Sequence, residues 1–244
     1  MAAGMNTSST NSTAQAASEK TVWRYMSFSK FIWTIQNKRL WLSRADLLGD
    51  PWEISLSGEQ LQHVINRHPI SPIGEPRRES ATERAERIIN SWRNKTFINC
   101  WNMSEHESNA LWQIYCRNTD GVVLQTSFEN LNLIKGPHSL LPVTYPIPGS
   151  NKQTPTHTDL VTKKLPMYAY ENEVRIVHFD ENDEMQTAKG MQLAFDLEQY
   201  IESIRVHPQA ETEFFATVRS VVETYAPNFK GEVIWSDMKL GPPF

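Results

Sequence analysis

The sequence predicts a mixed α+β fold, a single domain in which helices flank a mixed or mostly antiparallel sheet. Predicted strands and helices alternate irregularly along the 244 residues. Neither a glycine-rich strand-to-helix turn nor an evenly spaced strand–helix series is found, which argues against a parallel α/β architecture. The chain is 39% hydrophobic, which is enough for one sizeable core.

The first residues predict a tail rather than a folded element. Residues 1–20, "MAAGMNTSSTNSTAQAASEK", are mostly small, polar or alanine. Such a composition buries too little apolar surface to offset the entropy of ordering. We therefore expect residues 1–20 to be disordered and residues 21–244 to form the single α+β domain.

The next segment, "TVWRYMSFSKFIWTIQNKRLWLS", predicts a strand or turn, a short helix capped by Ser29, and a second strand. A loop, "ADLLGDPWE", then places Asp50, Trp52 and Glu53 beyond the strand end. Aspartate followed by proline commonly forms a turn, so this loop is either purely structural or a polar contribution to a pocket.

Two helices carry serine and glutamate at the spacing of a capping box. Ser80 and Glu83 open an amphipathic helix in "PRRESATERAERIINSWRNK", and Ser104 and Glu107 open another in "SEHESNALWQIYCRN". "TFINCW" between them predicts a buried strand, and "DGVVLQTSF" after them a turn and a strand.

The second half predicts a long loop followed by strands and one clear helix. "LPVTYPIPGSNKQTPTHTDL" is rich in proline, glycine, serine and threonine, which is typical of a strand end that runs into a long surface loop. "MYAYENEVRIVHF" and "MQLAFDL" predict strands, "EQYIESIRVHP" a helix start and a short strand, "ETEFFATVRSVVETYA" an amphipathic helix, and "GEVIWSDMKL" a last strand.

Composition narrows the function classes. A net charge of −4 and a pI near 6.0 give no clear nucleic-acid footprint. Two cysteines, solitary histidines and the lack of a long apolar run argue against a disulfide framework, a metal centre and a membrane span. We expect a soluble cytoplasmic protein without a bound metal.

The segment "YENEVR" is the strongest candidate site. If it is a strand, Glu171, Glu173 and Arg175 point to one face, because side chains alternate along a strand. Burying these charges unpaired would be costly, so they are exposed, paired through Arg175, or held in a cleft for chemistry. Trp112 and Tyr115, three residues apart on the predicted helix, form either core or an aromatic wall for a flat ligand ring.

Four segments in order resemble the bacterial family called domain of unknown function 2971. They are "WRYMSFSKFIWTIQNKRLWLSRADLLGDPWE", "FINCWNMSEHESNALWQIYCRNTDGVVLQTSF", "KKLPMYAYENEVR" and "IESIRVHP". The resemblance implies a prokaryotic or phage-related intracellular protein, in a family with members suspected in defence against phage. It implies no assigned reaction.

The order of elements also resembles ADP-ribosyltransferase-like folds. These place an arginine or histidine on an early strand, aromatic residues in the middle and a Glu-x-Glu motif on a late strand. Arg24 with its neighbour Tyr25, then Trp112 and Tyr115, then Glu171-Asn172-Glu173 follow that order; the Ser-Thr-Ser strand of better-known members is not found. The likeness implies a small nucleotide-like ligand, with NAD as the substrate.

The resemblance also implies roles for these residues. Glu173 would orient the ribose hydroxyl and stabilise an oxocarbenium-like transition state, and Glu171 would assist the acceptor. The cofactor-binding residues would be Arg24, for the diphosphate, with Tyr25, Trp112 and Tyr115, of which Trp112 or Tyr115 would pack against nicotinamide.

Two other hypotheses remain open. A metal-dependent nuclease would use oxygen ligands for magnesium, namely Asp50, Glu53, Glu171 and Glu173. A non-enzymatic sensor or interaction domain would use the carboxylates and Arg175 as a structural network.

Overall fold

The structure is a computed structural model that describes residues 20–50, 52–56, 58, 60–61, 80–147, 155–182, 184–185 and 187–240. The predicted tail lies outside the described residues except for Lys20. Its bounds, and those of the domain predicted for residues 21–244, stay predictions. Within the described residues, no helix combines the length and the apolar character that crossing a bilayer requires.

The described residues form a mixed sheet flanked by helices, which confirms the predicted α+β fold. The strands are β1 (Thr21–Ser27), β2 (Arg39–Arg44), β3 (Thr96–Met103), β4 (Gly121–Ser127), β5 (Ser139–Pro142), β6 (Glu173–Phe179), β7 (Gly190–Ala194), β8 (Ser203–Val206) and β9 (Glu232–Trp235). The α-helices are α1 (Phe28–Asn37), α2 (Ala81–Lys95), α3 (Asn109–Tyr115), α4 (Phe128–Asn132), α5 (His157–Val161), α6 (Leu197–Tyr200) and α7 (Thr212–Tyr225). Short 3-10 helices span Ala45–Leu47, Pro166–Glu171 and Asp237–Leu240.

The described residues divide into two compact units. The first unit comprises the residues up to Leu40, Trp101–Gly136 and the residues from Leu193 onward. The second unit comprises Trp41–Cys100 and Pro137–Gln192.

In the first unit, β1 lies at the centre of an antiparallel group. It pairs with β4 along its whole length and with the end of β3, and β4 pairs in turn with β8. The pairing of β8 with β9 is parallel, which makes the sheet mixed. The core on one face is aromatic, with Trp23, Tyr25 and Trp112 packed beside Leu111, Cys116 and Val123.

In the second unit, β6 lies between β3 and β5, and its pairing with β5 is antiparallel. The register places Leu141 opposite Arg175. Strand β2 pairs antiparallel with β3. An aliphatic core contains Ala45, Ile54, Ile89, Ile98, Leu160, Val161 and Val177. This core therefore joins α2 and α5 to the strands β3 and β6.

One of the predicted helix caps is confirmed and two are wrong. Ser80 accepts from the backbone N–H of Glu83 while the Glu83 side chain accepts from the Ser80 N–H, the full capping box. Helix α1 begins after Ser27 rather than Ser29, because β1 continues to Ser27 and the helix follows directly. Helix α3 begins after Ser108, because the side chain of Glu107 is bound elsewhere.

The predicted long loop contains more structure than its composition indicates. Strand β5 ends at its start, as the predicted strand end requires, but helix α5 occupies its end, where a loop was expected; residues 148–154 lie outside the described residues. Helix α5 has its own capping box, formed by Thr156 and Asp159. The sequence carries this Thr-x-x-Asp signal, but short helices are easily missed among turn-forming residues.

Candidate functional site

The carboxylates of "YENEVR" lie at a junction between a turn and a strand. The predicted strand start is wrong: Pro166–Glu171 is a 3-10 helix, and β6 begins only at Glu173. Pro166 fits the first turn of such a helix, and Asn172 takes a left-handed conformation with φ 36°, which asparagine tolerates well. The turn still brings the Glu171 and Glu173 side chains together.

Arg175 is the most deeply buried charge of this site, with 0% exposure. Its Nη1 and Nη2 donate to the two carboxylate oxygens of Glu53 at 2.9 and 2.7 Å, a bidentate pair. Its Nε donates to Glu173 Oε2 at 2.7 Å, and Nη1 also donates to the Val161 carbonyl at 2.8 Å. The guanidinium therefore ties the loop after β2 to β6 and α5.

Lys164 is a second buried cation at the same carboxylates. Its Nζ lies 2.5 Å from Glu171 Oε2, 3.0 Å from Glu173 Oε1 and 3.9 Å from Glu53 Oε1. The ammonium also lies 4.6 Å from the centre of the Tyr168 ring, a cation–π distance. Three carboxylates and two cations thus share one buried cluster.

The unequal surroundings of Glu171 and Glu173 give the two neighbouring carboxyl groups different pKa values. Burial raises the pKa of Glu171 from 4.5 to about 7, and its hydrogen bond with Glu173 acts in the same direction. Burial also acts to raise the pKa of Glu173, but the charge of Arg175, the hydrogen bond with Glu171 and the charge of Lys164 together outweigh it and lower that pKa to about 2. At neutral pH Glu173 is therefore an anion, while Glu171 is present in both its protonated and its ionised form.

This difference predicts a pH dependence of stability. Between about pH 4.5 and 7 the folded chain binds more protons at Glu171 than the unfolded chain does, so the stability contributed by that proton is full below pH 4.5 and is lost as the pH rises through 7. Glu171→Gln removes this titration. We expect its melting temperature to rise relative to the wild type as the pH increases from about 5 to 8.

The control is Glu223→Gln on the surface of α7. Glu223 forms an exposed ion pair with Arg219 at 3.5 Å. The difference of this variant from the wild type is expected to stay flat over the same pH range. If the melting temperatures of the wild type and of Glu171→Gln changed in parallel with pH, the inference that Glu171 loses its proton near neutral pH would be contradicted.

Glu53 and Asp50 end in different surroundings. The buried Glu53 carboxylate accepts from Arg175, and the Glu53 backbone carbonyl accepts from Arg93 Nε at 2.8 Å. Asp50 Oδ1 accepts from the N–H of Trp52 at 2.9 Å, which is an Asx turn. Among the described residues, no group of three or more histidine, cysteine, aspartate or glutamate side chains is arranged to hold a metal ion.

Sequence reasoning missed two members of the site. Lys164 precedes Glu171 by seven residues, and Tyr145 accepts from the backbone N–H of Glu173 at 2.8 Å through its hydroxyl. A signal for Lys164 exists in "KKLPMYAYENEVR", where a lysine precedes the aromatics and glutamates. Nothing local connects Tyr145 to Glu173.

The residues predicted to bind a cofactor belong to the first unit. The guanidinium carbon of Arg24 lies 5.9 Å from the centre of the Trp101 ring. The Tyr25 hydroxyl accepts from the Ser108 N–H at 2.7 Å, and burial raises its pKa. Trp112 has 0% exposure, as its core interpretation predicts, whereas Tyr115 is 46% exposed. Binding of a cofactor by these residues stays a prediction.

Another buried carboxylate, Glu107, lies in the first unit and accepts several hydrogen bonds there. It accepts from Trp112 Nε1 at 2.8 Å, Arg205 Nη1 at 2.8 Å and Ser236 Oγ at 2.6 Å. The backbone N–H of Asp237 adds a fourth bond at 3.1 Å. With four donors at its two oxygens, Glu107 holds β8, α3 and the segment after β9 together.

Comparison with known proteins finds a weak structural likeness. No protein-family model and no curated protein matches the chain. Solved structures of DarT from Thermus sp. 2.9 are similar at TM-scores of 0.40 to 0.41. The complex with NAD+ is 8% identical in sequence, and the match covers 88% of this chain and 94% of that chain. The complex with ADP-ribosylated ssDNA is 11% identical, and the match covers 88% of this chain and 93% of that chain. Scores this low carry no conclusion about this chain. The resemblance to the domain of unknown function 2971 and the expected absence of a nucleic-acid partner stay predictions.

Proposed function

We propose that the chain is an NAD-using ADP-ribosyl transferase or NAD glycohydrolase, and that Glu171 and Glu173 carry the reaction. The observation that supports this is the pair of adjacent carboxyl groups whose pKa values differ, about 7 for Glu171 and about 2 for Glu173. Neighbouring carboxyl groups with separated pKa values divide acid–base and electrostatic roles in glycosyl chemistry.

The proposed reaction breaks the bond between the nicotinamide nitrogen and C1′ of the ribose. Nicotinamide leaves with the bonding electron pair and becomes neutral, and positive charge develops on the ribose ring. Glu173 remains an anion at every physiological pH, so its carboxylate stabilises that charge.

Glu171 acts on the acceptor in this proposal. Water or an acceptor hydroxyl attacks C1′, and the Glu171 carboxylate takes the proton that the acceptor loses. A general base is most effective when its pKa lies near the working pH, and the pKa of Glu171 is about 7. The resemblance to a family with members suspected in phage defence adds the proposal that the enzyme is a defence or toxin effector.

A second candidate is the structural network. The Glu171 and Glu173 side chains are only 9% and 6% exposed, and both contact Lys164. In this case the carboxylates hold the start of β6 and turn over no ligand. The metal-dependent nuclease gains no support from these contacts, because three of its four carboxylates, Glu53, Glu171 and Glu173, are bound by Arg175 or Lys164.

The test compares two substrates. We expect purified protein incubated with NAD to release nicotinamide, measured by liquid chromatography, and the Glu171→Gln and Glu173→Gln variants to lose that release. Glu223→Gln is the surface control and is expected to keep it. Chelator-sensitive cleavage of nucleic acid with magnesium, without nicotinamide release, would contradict the proposal; folded protein inactive on both would favour the structural network.

A further inference from the structure

The position of Lys164 links it to both proposed catalytic glutamates. Its ammonium donates to Glu171 Oε2 at 2.5 Å and to Glu173 Oε1 at 3.0 Å, while Arg175 Nε uses the other oxygen of Glu173. Two carboxyl groups held this close repel each other when both are ionised. A cation between them offsets that repulsion.

Arg175 donates to Glu173, Glu53 and a backbone carbonyl, and these bonds use its Nε, Nη1 and Nη2. Its Nε donates to Glu173, and its Nη1 and Nη2 donate to Glu53. Nη1 also donates to the Val161 carbonyl. Arg175 therefore fixes Glu173 and Glu53, whereas Lys164 bridges Glu173 and Glu171.

We propose that Lys164 is a positioning residue of this site, which holds Glu171 beside Glu173 and favours the ionised form of Glu171. This inference rests on the proposed function, since only an enzyme needs Glu171 to accept a proton. Lys164 does not touch the reacting atoms in this account. It acts through the two glutamates.

Other titratable and charged groups surround the pair. They are Glu53 from the loop after β2, Cys100 on β3, Tyr145 after β5, Tyr168 and Tyr170 on the 3-10 helix, and Arg175 on β6. Burial raises the pKa of Cys100, Tyr145 and Tyr170, so these three are neutral at pH 7. The local charge therefore depends on the three glutamates and the two cations.

Lys164→Met keeps much of the length of the side chain and removes its charge. Loss of an opposite charge at hydrogen-bond distance raises the pKa of a carboxyl group by about 1–3. We expect the ¹³C NMR titration midpoint of the Glu171 carboxyl carbon, assigned with Glu171→Gln, to rise by at least about one pH unit. Lys164→Arg is expected to restore the wild-type midpoint, and Lys38→Met, which removes a 49% exposed lysine, to leave it unchanged.

Nicotinamide release gives a second readout. In Lys164→Met the pH at which Glu171 ionises, and with it the rise of kcat with pH, is expected to move upward. The value of kcat at pH 7 then falls about fivefold or more while KM changes little, because a pKa of about 8 instead of about 7 reduces the ionised fraction of Glu171 by that factor. A role limited to folding would change the melting temperature without moving the pH profile.

An unchanged Glu171 midpoint in folded Lys164→Met would overturn the inference. If that variant does not fold, the wild type decides: the ¹⁵N resonance of Lys164 Nζ is expected to titrate with the midpoint of Glu171, and an independent midpoint overturns the inference. Wild-type protein that never releases nicotinamide refutes the proposed function instead, while the NMR midpoints still report on Lys164.

Discussion

Arg175→Met is expected to lower the free energy of unfolding by about 3–5 kcal/mol, the cost of breaking a buried ion pair by removing one partner. Methionine fills much of the same volume but donates nothing to Glu53 or Glu173. Of the two cations in the cluster, both carboxylates then keep only Lys164, which lies 3.9 and 3.0 Å from them. Chemical denaturation at pH 7 measures the change.

The matched control is Arg219→Met on α7. Arg219 is 59% exposed and lies 3.5 Å from Glu223, so its ion pair is screened by water. We expect a change within about 0.5 kcal/mol. If Arg175→Met were also within about 1 kcal/mol, the buried cluster would not hold the second unit together.

Local patterns of the sequence predicted most elements, because alternation and capping act over a few residues. The strands β3, β4 and β8 and the helices α2 and α7 follow from such patterns. The prediction fails where a distant partner competes. Glu107 has the spacing to cap a helix, but Arg205 and Ser236, 98 and 129 residues away, bind its carboxylate instead.

The candidate site was predictable in part for the same reason. Glu173 and Arg175 follow one another at the spacing of a strand face, so their proximity could be inferred from the chain itself, whereas Glu171 reaches them from the end of a 3-10 helix. Glu53 is 122 residues from Arg175, and its role as the bidentate partner required the fold. Lys164 lies just before the 3-10 helix and Glu171 at its end, and the two contact each other, where the sequence predicted an extended strand.

Glu173→Gln is expected to reduce nicotinamide release about a hundredfold to a thousandfold, the usual cost of removing one preorganised electrostatic contact. The amide keeps the shape of the side chain and can still accept a hydrogen bond from Arg175 Nε. The cluster then contains two carboxylates, Glu53 and Glu171, and the two cations Arg175 and Lys164. Since these charges balance, we expect a smaller loss of stability than in Arg175→Met.

The same change acts on Glu171. Its negative neighbour is gone while Lys164 remains at 2.5 Å, so its pKa is expected to fall from about 7 toward the ordinary value of 4.5. An NMR titration of the Glu171 carboxyl carbon measures this change, and thermal melts and nicotinamide release complete the comparison with the wild type.

Three outcomes separate the roles of Glu173. A folded variant with a nearly normal melt and abolished release supports a catalytic carboxylate. A strongly lowered melting temperature, with release lost in proportion to the unfolded protein, supports the structural network. In that case the buried guanidinium of Arg175 needs the negative charge of Glu173 to stay stable in the fold. A variant unchanged in melt, release and Glu171 titration would contradict both, since it would show that the negative charge at position 173 is used neither by the fold nor by the reaction.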